Sequence, residues 1–228
     1  MRILALETST EFASCAFWLD GSVLSAECPA DAPHSLTLIP LAKRLLQEAG
    51  SDFAALDAVA FDKGPGAFTS LRVSCAIAQG MASALDIPVL PVGSLECLAW
   101  RACEAGEKAL SLLDARMGEV YVGAFRREKE GVKPLLEVGL CKPEAITLPD
   151  GEGWKVVGNA LDAYPLLRER LSGQCLLSLV PHAEPLVELA VFALRRGEGI
   201  DPALALPRYV RDKVARTSAE QMATGGRV

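Results

Sequence analysis

The spacing of apolar residues changes period repeatedly along the chain, from two to between three and four and back. Residues 2–7 (RILALE) are a short apolar run that reads as a buried strand, 13–19 as a second strand and 22–28 as a third. Asp20-Gly21 between the last two is a hairpin signal. Over 33–50 the period becomes helical. Leu36, Ile39, Lys43 and Leu46 mark one face of that helix; Leu38, Leu41, Leu45 and Ala49 mark another. Pro40 is expected in the first turn or at a kink. Residues 58–61 then form a strand, 69–85 a helix, 87–92 a strand and 94–103 a helix.

Everything is organised around 61–86, FDKGPGAFTSLRVSCAIAQGMASALD. Gly64-Pro65-Gly66 breaks the strand sharply, and Thr69 or Ser70 offers an N-cap hydroxyl to the helix that follows. From 73 to 85 there is no charged residue, and the polar ones are Ser74, Gln79 and Ser83. A surface helix needs a polar face. This helix is therefore expected to be covered on two sides, one by its own sheet and the other by a second body. The two apolar faces of 33–50 point the same way.

The second half begins as the first does. Residues 109–114 read as a strand that ends on Asp114, as the first strand ends on Glu7. A polar turn, strands over 119–125, 132–140 and 154–157, a helix over 160–170, a strand over 176–179 and a helix over 184–195 follow. The repeat lies in the order of elements and hardly at all in the residues. It predicts an α/β protein with mixed sheets and flanking helices, in two related lobes over 1–104 and 105–206. A tail over 207–228 is expected to return to the first lobe.

Composition changes this picture little. The chain has 228 residues, 50% hydrophobic and 23% charged, the balance of a soluble globular protein. The run 73–85 is too short to span a bilayer, and Met1-Arg2-Ile3 enters a strand pattern with no signal-peptide region. No membrane contact is expected. The seven cysteines are scattered and lack metal-ligand spacing, which suggests reduced core thiols in a cytoplasmic protein. The net charge of −6 sits in residues 1–100, which argues against that half tracking phosphates. Arg208, Arg211, Lys213 and Arg216 cluster near the end and read as a solvated tail.

Candidate chemistry is sparse. Glu7-Thr8-Ser9-Thr10 at a strand end either cradles nucleotide phosphates, with the carboxylate near a metal, or is an ordinary polar hairpin. Gly64 and Gly66 either approach a phosphate at the helix start or serve a tight turn alone. Histidine occurs only as His34 and His182, with no HxxxH, HExxH or CxxC, so no metal site, cofactor or catalytic residue is assigned. Asp114, Arg116, Glu119 and Tyr121 gather at one turn, as a site or as an ion pair within one lobe. Trp18, Trp100 and Trp154 are expected to fill core.

ILALETST at 3–10, His34-Ser35, GPGAFTSLR at 64–72, Ala78-Gln79-Gly80, Asp114-Ala115-Arg116 with Glu119-Val120-Tyr121, and Pro207-Arg208-Tyr209-Val210-Arg211 occur in order along most of the chain. Together they resemble the TsaB (YeaZ) family. The resemblance implies two ribonuclease-H-like lobes of the actin and sugar-kinase type. It implies a non-catalytic partner of TsaD, which with the ATPase TsaE forms N6-threonylcarbamoyladenosine at position 37 of tRNAs reading ANN codons. TsaD carries its metal on an HxxxH pair; here His34 is followed four residues on by Leu38. The sequence also departs from the family pattern at Glu7, where Asp is usual, and at Ser70, where Gly is usual.

On this reading helices 34–49 and 69–85 bind a TsaD-like protein through Leu36, Ile39, Lys43, Leu46, Ile77, Ala78, Met81 and Leu85. Alone, the chain is expected to form a homodimer through the same face. A TsaE-like ATPase joins the pair, and tRNA is met only through the complex. The alternative is an ATP-dependent small-molecule kinase of the same superfamily, using Glu7, Thr8 and Gly66 around nucleotide and metal.

Overall fold

A computed structural model describes residues 1–29 and 32–211. The first part of the chain forms β1 (Arg2–Glu7), β2 (Ser14–Leu19), β3 (Ser22–Glu27), α1 (His34–Glu48), β4 (Ala58–Gly64), α2 (Phe68–Leu85), β5 (Val89–Gly93) and α3 (Ser94–Ala102). There follow β6 (Lys108–Asp114), β7 (Val120–Glu128), β8 (Gly131–Cys141), β9 (Trp154–Val157), α4 (Ala160–Ala163), α5 (Pro165–Arg170), β10 (Cys175–Leu177) and α6 (Ala183–Arg195). Asp20 and Gly21 both take positive φ, 47° and 105°, as the tight hairpin between β2 and β3 requires.

The expected repeat is present in the strand order. The first sheet runs β3-β2-β1-β4-β5 and the second β10-β9-β6-β7-β8. Read from its own third strand, the second sheet has the same order as the first. In both, the first three strands form an antiparallel meander, and the fourth and fifth add in parallel beside the first. The fold is thus α/β with two mixed sheets and flanking helices, as expected of two ribonuclease-H-like lobes.

Alternation along β1 decides which helix covers which face. Leu4 and Leu6 join Val59 and Phe61 in one core with α1 and α2, while Ile3 and Ala5 join Ala58 and Ala60 in another with α3 and α6. The period of two in the strands therefore places two helices on each face of the first sheet. The grouping of residues 105–206 would put α6 with the second sheet. It packs instead on β1, β2 and β5 of the first, with Leu186, Val187 and Ala190 fully buried.

Three local expectations change. α2 begins at Phe68 with Ala67 as N-cap, and no side chain caps it; neither Thr69 nor Ser70 does so. The helix expected over 160–170 is broken in two at Pro165, which can start a helix but lacks the N–H to continue one. Arg208 and Arg211 do not belong to a solvated tail: residues 200–211 form a strap over the body. Ile200 pairs with Val89, and Ala205 is buried against α2, whose Gln79 donates to Pro202 O and Ala205 O. Arg208 N then donates to Lys63 O, and Arg211 reaches Ala115 O at 3.1 Å and the Glu119 carboxylate. Lys213, Arg216 and the rest of the tail lie outside the described residues.

Candidate functional site

The candidate partner face is built by α1 and α2, which lie on the same face of the first sheet. α1 turns Leu38, Leu41, Ala42, Leu45 and Leu46 into the core. That leaves Leu36, 70% exposed, and Ile39, 45% exposed, in water with Pro40 and Lys43 beside them. On α2, Leu71, Ser74, Cys75, Ala78 and Ala82 face inward. Ala76, Gly80 and Ala84, four residues apart, form an exposed stripe of small side chains, and a Cβ added at Gly80 meets nothing within 4 Å.

Of the residues assigned to this face, Leu36, Ile39 and Lys43 are exposed, and Ile77, Met81 and Leu85 are half-buried along the edge of the core. Leu46 and Ala78 are corrections. At 1% and 0% exposure they pack against this chain's own sheet, because a turn of 3.6 residues carries both to the inner side of their helices. The strap covers the Cys75 and Gln79 flank of α2 through Ala205 and Pro202, and its Tyr209 meets Phe68 and Arg72 at the start of the helix. The outer stripe stays open.

The candidate nucleotide loops meet one another. Ala67 N donates to Ser9 O at 2.7 Å, and a Cβ added at Gly66 would stand 2.5 Å from that oxygen and 2.7 Å from Ser9 Cα. A Cβ at Gly64 would strike the Leu71 side chain at 2.8 Å. The glycines serve the close approach of one loop to another. Thr8 Oγ1 lies 2.8 Å from Ser70 O and 2.9 Å from Ser74 Oγ. Of the six residues proposed for nucleotide, Glu7, Thr8 and Gly64 are enclosed by the chain's own atoms. Ser9, Thr10 and Gly66 line a cavity of about 200 Å³ together with Asp114, Arg116 and Asn159.

Behind these loops stands a carboxyl pair of which the sequence reading identified one member. Glu7 ends β1 and Asp62 lies in β4, one position past the Leu6–Phe61 register pair. Glu7 Oε1 accepts from Ser9 N at 2.8 Å, and Asp62 Oδ1 accepts from Gly64 N and Ser94 Oγ, both at 2.7 Å. Glu7 Oε2 and Asp62 Oδ2 are buried with no donor. Burial first, then the neighbouring Asp62 charge, pushes the Glu7 carboxyl well above its usual range, and burial also raises Asp62. Asp62 was detectable in sequence: once 2–7 and 58–61 pair in parallel, the residue after Phe61 sits beside Glu7.

The polar turn ties the two sheets together. Arg116 pairs with Asp114 at 3.4 Å and with Glu11, in the hairpin after β1, at 3.0 Å. The ion pair expected within one lobe thus also bridges to the other. Trp100 and Trp154 are buried; Trp18 is half-buried against the same core as Trp100. His34 lies near Glu11 O, and His182 caps α6 by accepting from Glu184 N. Among the described residues no group of three or more His, Cys, Asp or Glu side chains is placed to hold a metal ion, and no helix is long and apolar enough to cross a membrane.

Comparison with known proteins agrees with this architecture. Residues 29–168 match the family model described as TsaD, tRNA N6-adenosine threonylcarbamoyltransferase. The tRNA threonylcarbamoyladenosine biosynthesis protein TsaB of Escherichia coli is 34% identical over 94% of this chain and 96% of its own length. Its counterpart in Haemophilus influenzae is 32% identical over 94% and 95%. The solved structure of YeaZ from Pseudomonas aeruginosa is 38% identical and superposes with a TM-score of 0.84 over 91% of this chain and 99% of that one.

Proposed function

Because the chain belongs to the TsaB family, within the wider group that the TsaD model describes, we propose that it is a non-catalytic subunit in tRNA threonylcarbamoyladenosine formation. Its work on this reading is to bind and support a TsaD-like enzyme. The observation that carries the proposal is the outer side of α1 and α2. Leu36 and Ile39 stand in water on α1, and Ala76, Gly80 and Ala84 form an exposed stripe on α2. Apolar area of this kind is worth about 25 cal/mol per Å² on burial, and small residues let a partner helix approach closely. Association entropy offsets much of that gain, so the fit of the helices sets the affinity.

In this assembly the partner lays its own equivalent helices against α1 and α2, a TsaE-like ATPase joins the pair, and tRNA is met through the complex, in the cytoplasm. Without the partner, the same face makes a symmetric homodimer. The enclosure of Glu7 and Thr8 supports a supporting role over a kinase: the kinase reading needs both beside nucleotide and metal, and the chain's own atoms close both in. Light scattering on the purified chain mixed with the TsaD-like protein of the same cell tests the proposal. A one-to-one heteromer that forms at the expense of a homodimer is expected. Two species that stay separate at micromolar concentration would overturn it.

A further inference from the structure

Between β10 and α6 the chain crosses from the second sheet back to the first, and His182 stands at the end of that crossing. Two contacts fasten the segment. Arg101, in the last turn of α3, donates to Val180 O at 3.2 Å. Ala183 N then donates to Ser14 Oγ of β2 at 2.9 Å, and α6 packs on β1 and β2. Arg101 and Val180 also line a groove of about 590 Å³ that has Glu11 and Phe12 on one side and Asp162 and Ser178 on the other. The crossing is therefore part of the wall of a groove between the lobes.

The His182 ring closes the start of α6. Its Nδ1 accepts from Glu184 N at 3.2 Å, which needs a lone pair there and places the ring proton on Nε2. Nε2 lies 3.5 Å from a Glu27 carboxylate oxygen. The charged groups that face the ring, among the described residues, are Glu27 from β3, Arg101 from α3 and Glu184 from α6 itself. A second proton would sit on Nδ1, against the Glu184 N–H, and would end the cap. It would also set a cation at a helix N-terminus. Glu27 favours that cation, but its side chain is 72% exposed and water screens the pair. Burial first, then the Arg101 charge, hold the ring's pKa below its usual value, against the pull of Glu27 and Glu184.

We propose that His182 is a proton-operated latch on the interlobe crossing: neutral, it caps α6; protonated, it releases the first turn of the helix and the segment before it. Histidine is the side chain whose ordinary titration lies near neutral pH. Linkage sets the sign. The stabilisation from the cap is complete above the unfolded histidine value, about 6.5, and is lost as pH falls through the lower value of the folded ring. The latch holds whether or not α1 and α2 bind a TsaD-like protein.

Nitrogen-15 NMR of the full-length chain carrying His34→Gln, which leaves His182 as its one histidine, is the test. At neutral pH the ring should carry hydrogen on Nε2 and a lone pair on Nδ1, and it should titrate with a midpoint below about 6.5. Hydrogen exchange of the Ala183, Glu184 and Leu186 amides is then followed as pH falls through that midpoint, corrected for the intrinsic pH dependence of exchange. It should rise roughly fivefold, the loss of one N-cap. His182→Asn, which caps without titrating, should keep α6 formed and abolish the rise. Hydrogen on Nδ1 at neutral pH, a midpoint at or above the usual histidine value, or the same rise in His182→Asn would overturn the latch.

Discussion

Glu7, at the end of β1, stands beside Asp62 of the parallel strand β4, both fully buried, each with one oxygen that no donor reaches. Two carboxylates in that position cannot both be charged cheaply, so a proton between them is the arrangement the folded chain favours. The same pair lies near the buried Cys97, whose thiol is pushed well up first by burial and then by the Asp62 and Glu7 charges.

The sign of the pH effect follows. Both carboxyls hold their proton to higher pH in the folded chain than in the unfolded one. The pair's contribution is most favourable below the unfolded carboxylate range near pH 4, and it declines as pH rises through the raised values. Glu7→Gln removes one of the two charges. Urea unfolding should show the variant gaining on the parent between pH 5 and pH 8; a parent that gains on the variant over that range would contradict the shared proton.

Two glycines should respond to alanine in opposite directions. At Gly66 a new Cβ would meet Ser9 backbone at 2.5–2.7 Å, and Gly66→Ala should destabilise by about 1–3 kcal/mol. At Gly80, inside α2 with open space around it, Gly80→Ala should stabilise the free chain by about 1 kcal/mol through helix propensity. If a partner helix lies on the stripe, the same methyl group should weaken the complex. Urea midpoints check the first two effects and calorimetry the third.

The thiols offer an independent check on burial. All seven are free; Cys15, Cys75, Cys97 and Cys103 are buried, and Cys175 is exposed. Burial pushes the Cys103 thiol up to about 11 and Cys97 well above the usual range, which keeps the reactive thiolate scarce. A chromogenic disulfide reagent should modify one thiol promptly in the native chain, and Cys175→Ser should abolish that phase. Prompt reaction of several thiols would contradict the core packing.

Much of the fold was legible in sequence because it is written in local periods. The hairpin at Asp20-Gly21, the strand at 2–7 and the gathering of leucines 38, 41 and 45 on one helix face follow from chemistry within a few residues. What escaped depends on contacts distant in the chain. Leu46 lies inward although its period groups it with Leu36 and Ile39, because an apolar period says that a helix has faces, not which face meets the sheet. Arg116 finds Glu11 across 105 positions, and α6 returns to the first sheet rather than the second. The cap of α2 was misplaced because Ala67, anchored through its N–H on Ser9, begins the helix before the hydroxyl residues arrive. Asp62 looked like an ordinary strand residue until the parallel register set it beside Glu7.

The partner face is tested most directly by isothermal calorimetry, titrating the TsaD-like protein into the parent chain and into Ile39→Asp. Ile39 is far enough into water that the change should leave the thermal midpoint within about 2 °C of the parent, since exposed substitutions alter stability by about ±0.5 kcal/mol. Affinity should fall at least about tenfold, the effect of a charge buried without a partner at an apolar contact. Equal affinities for parent and variant, with both chains folded, would contradict the assignment of α1 and α2 as the binding surface.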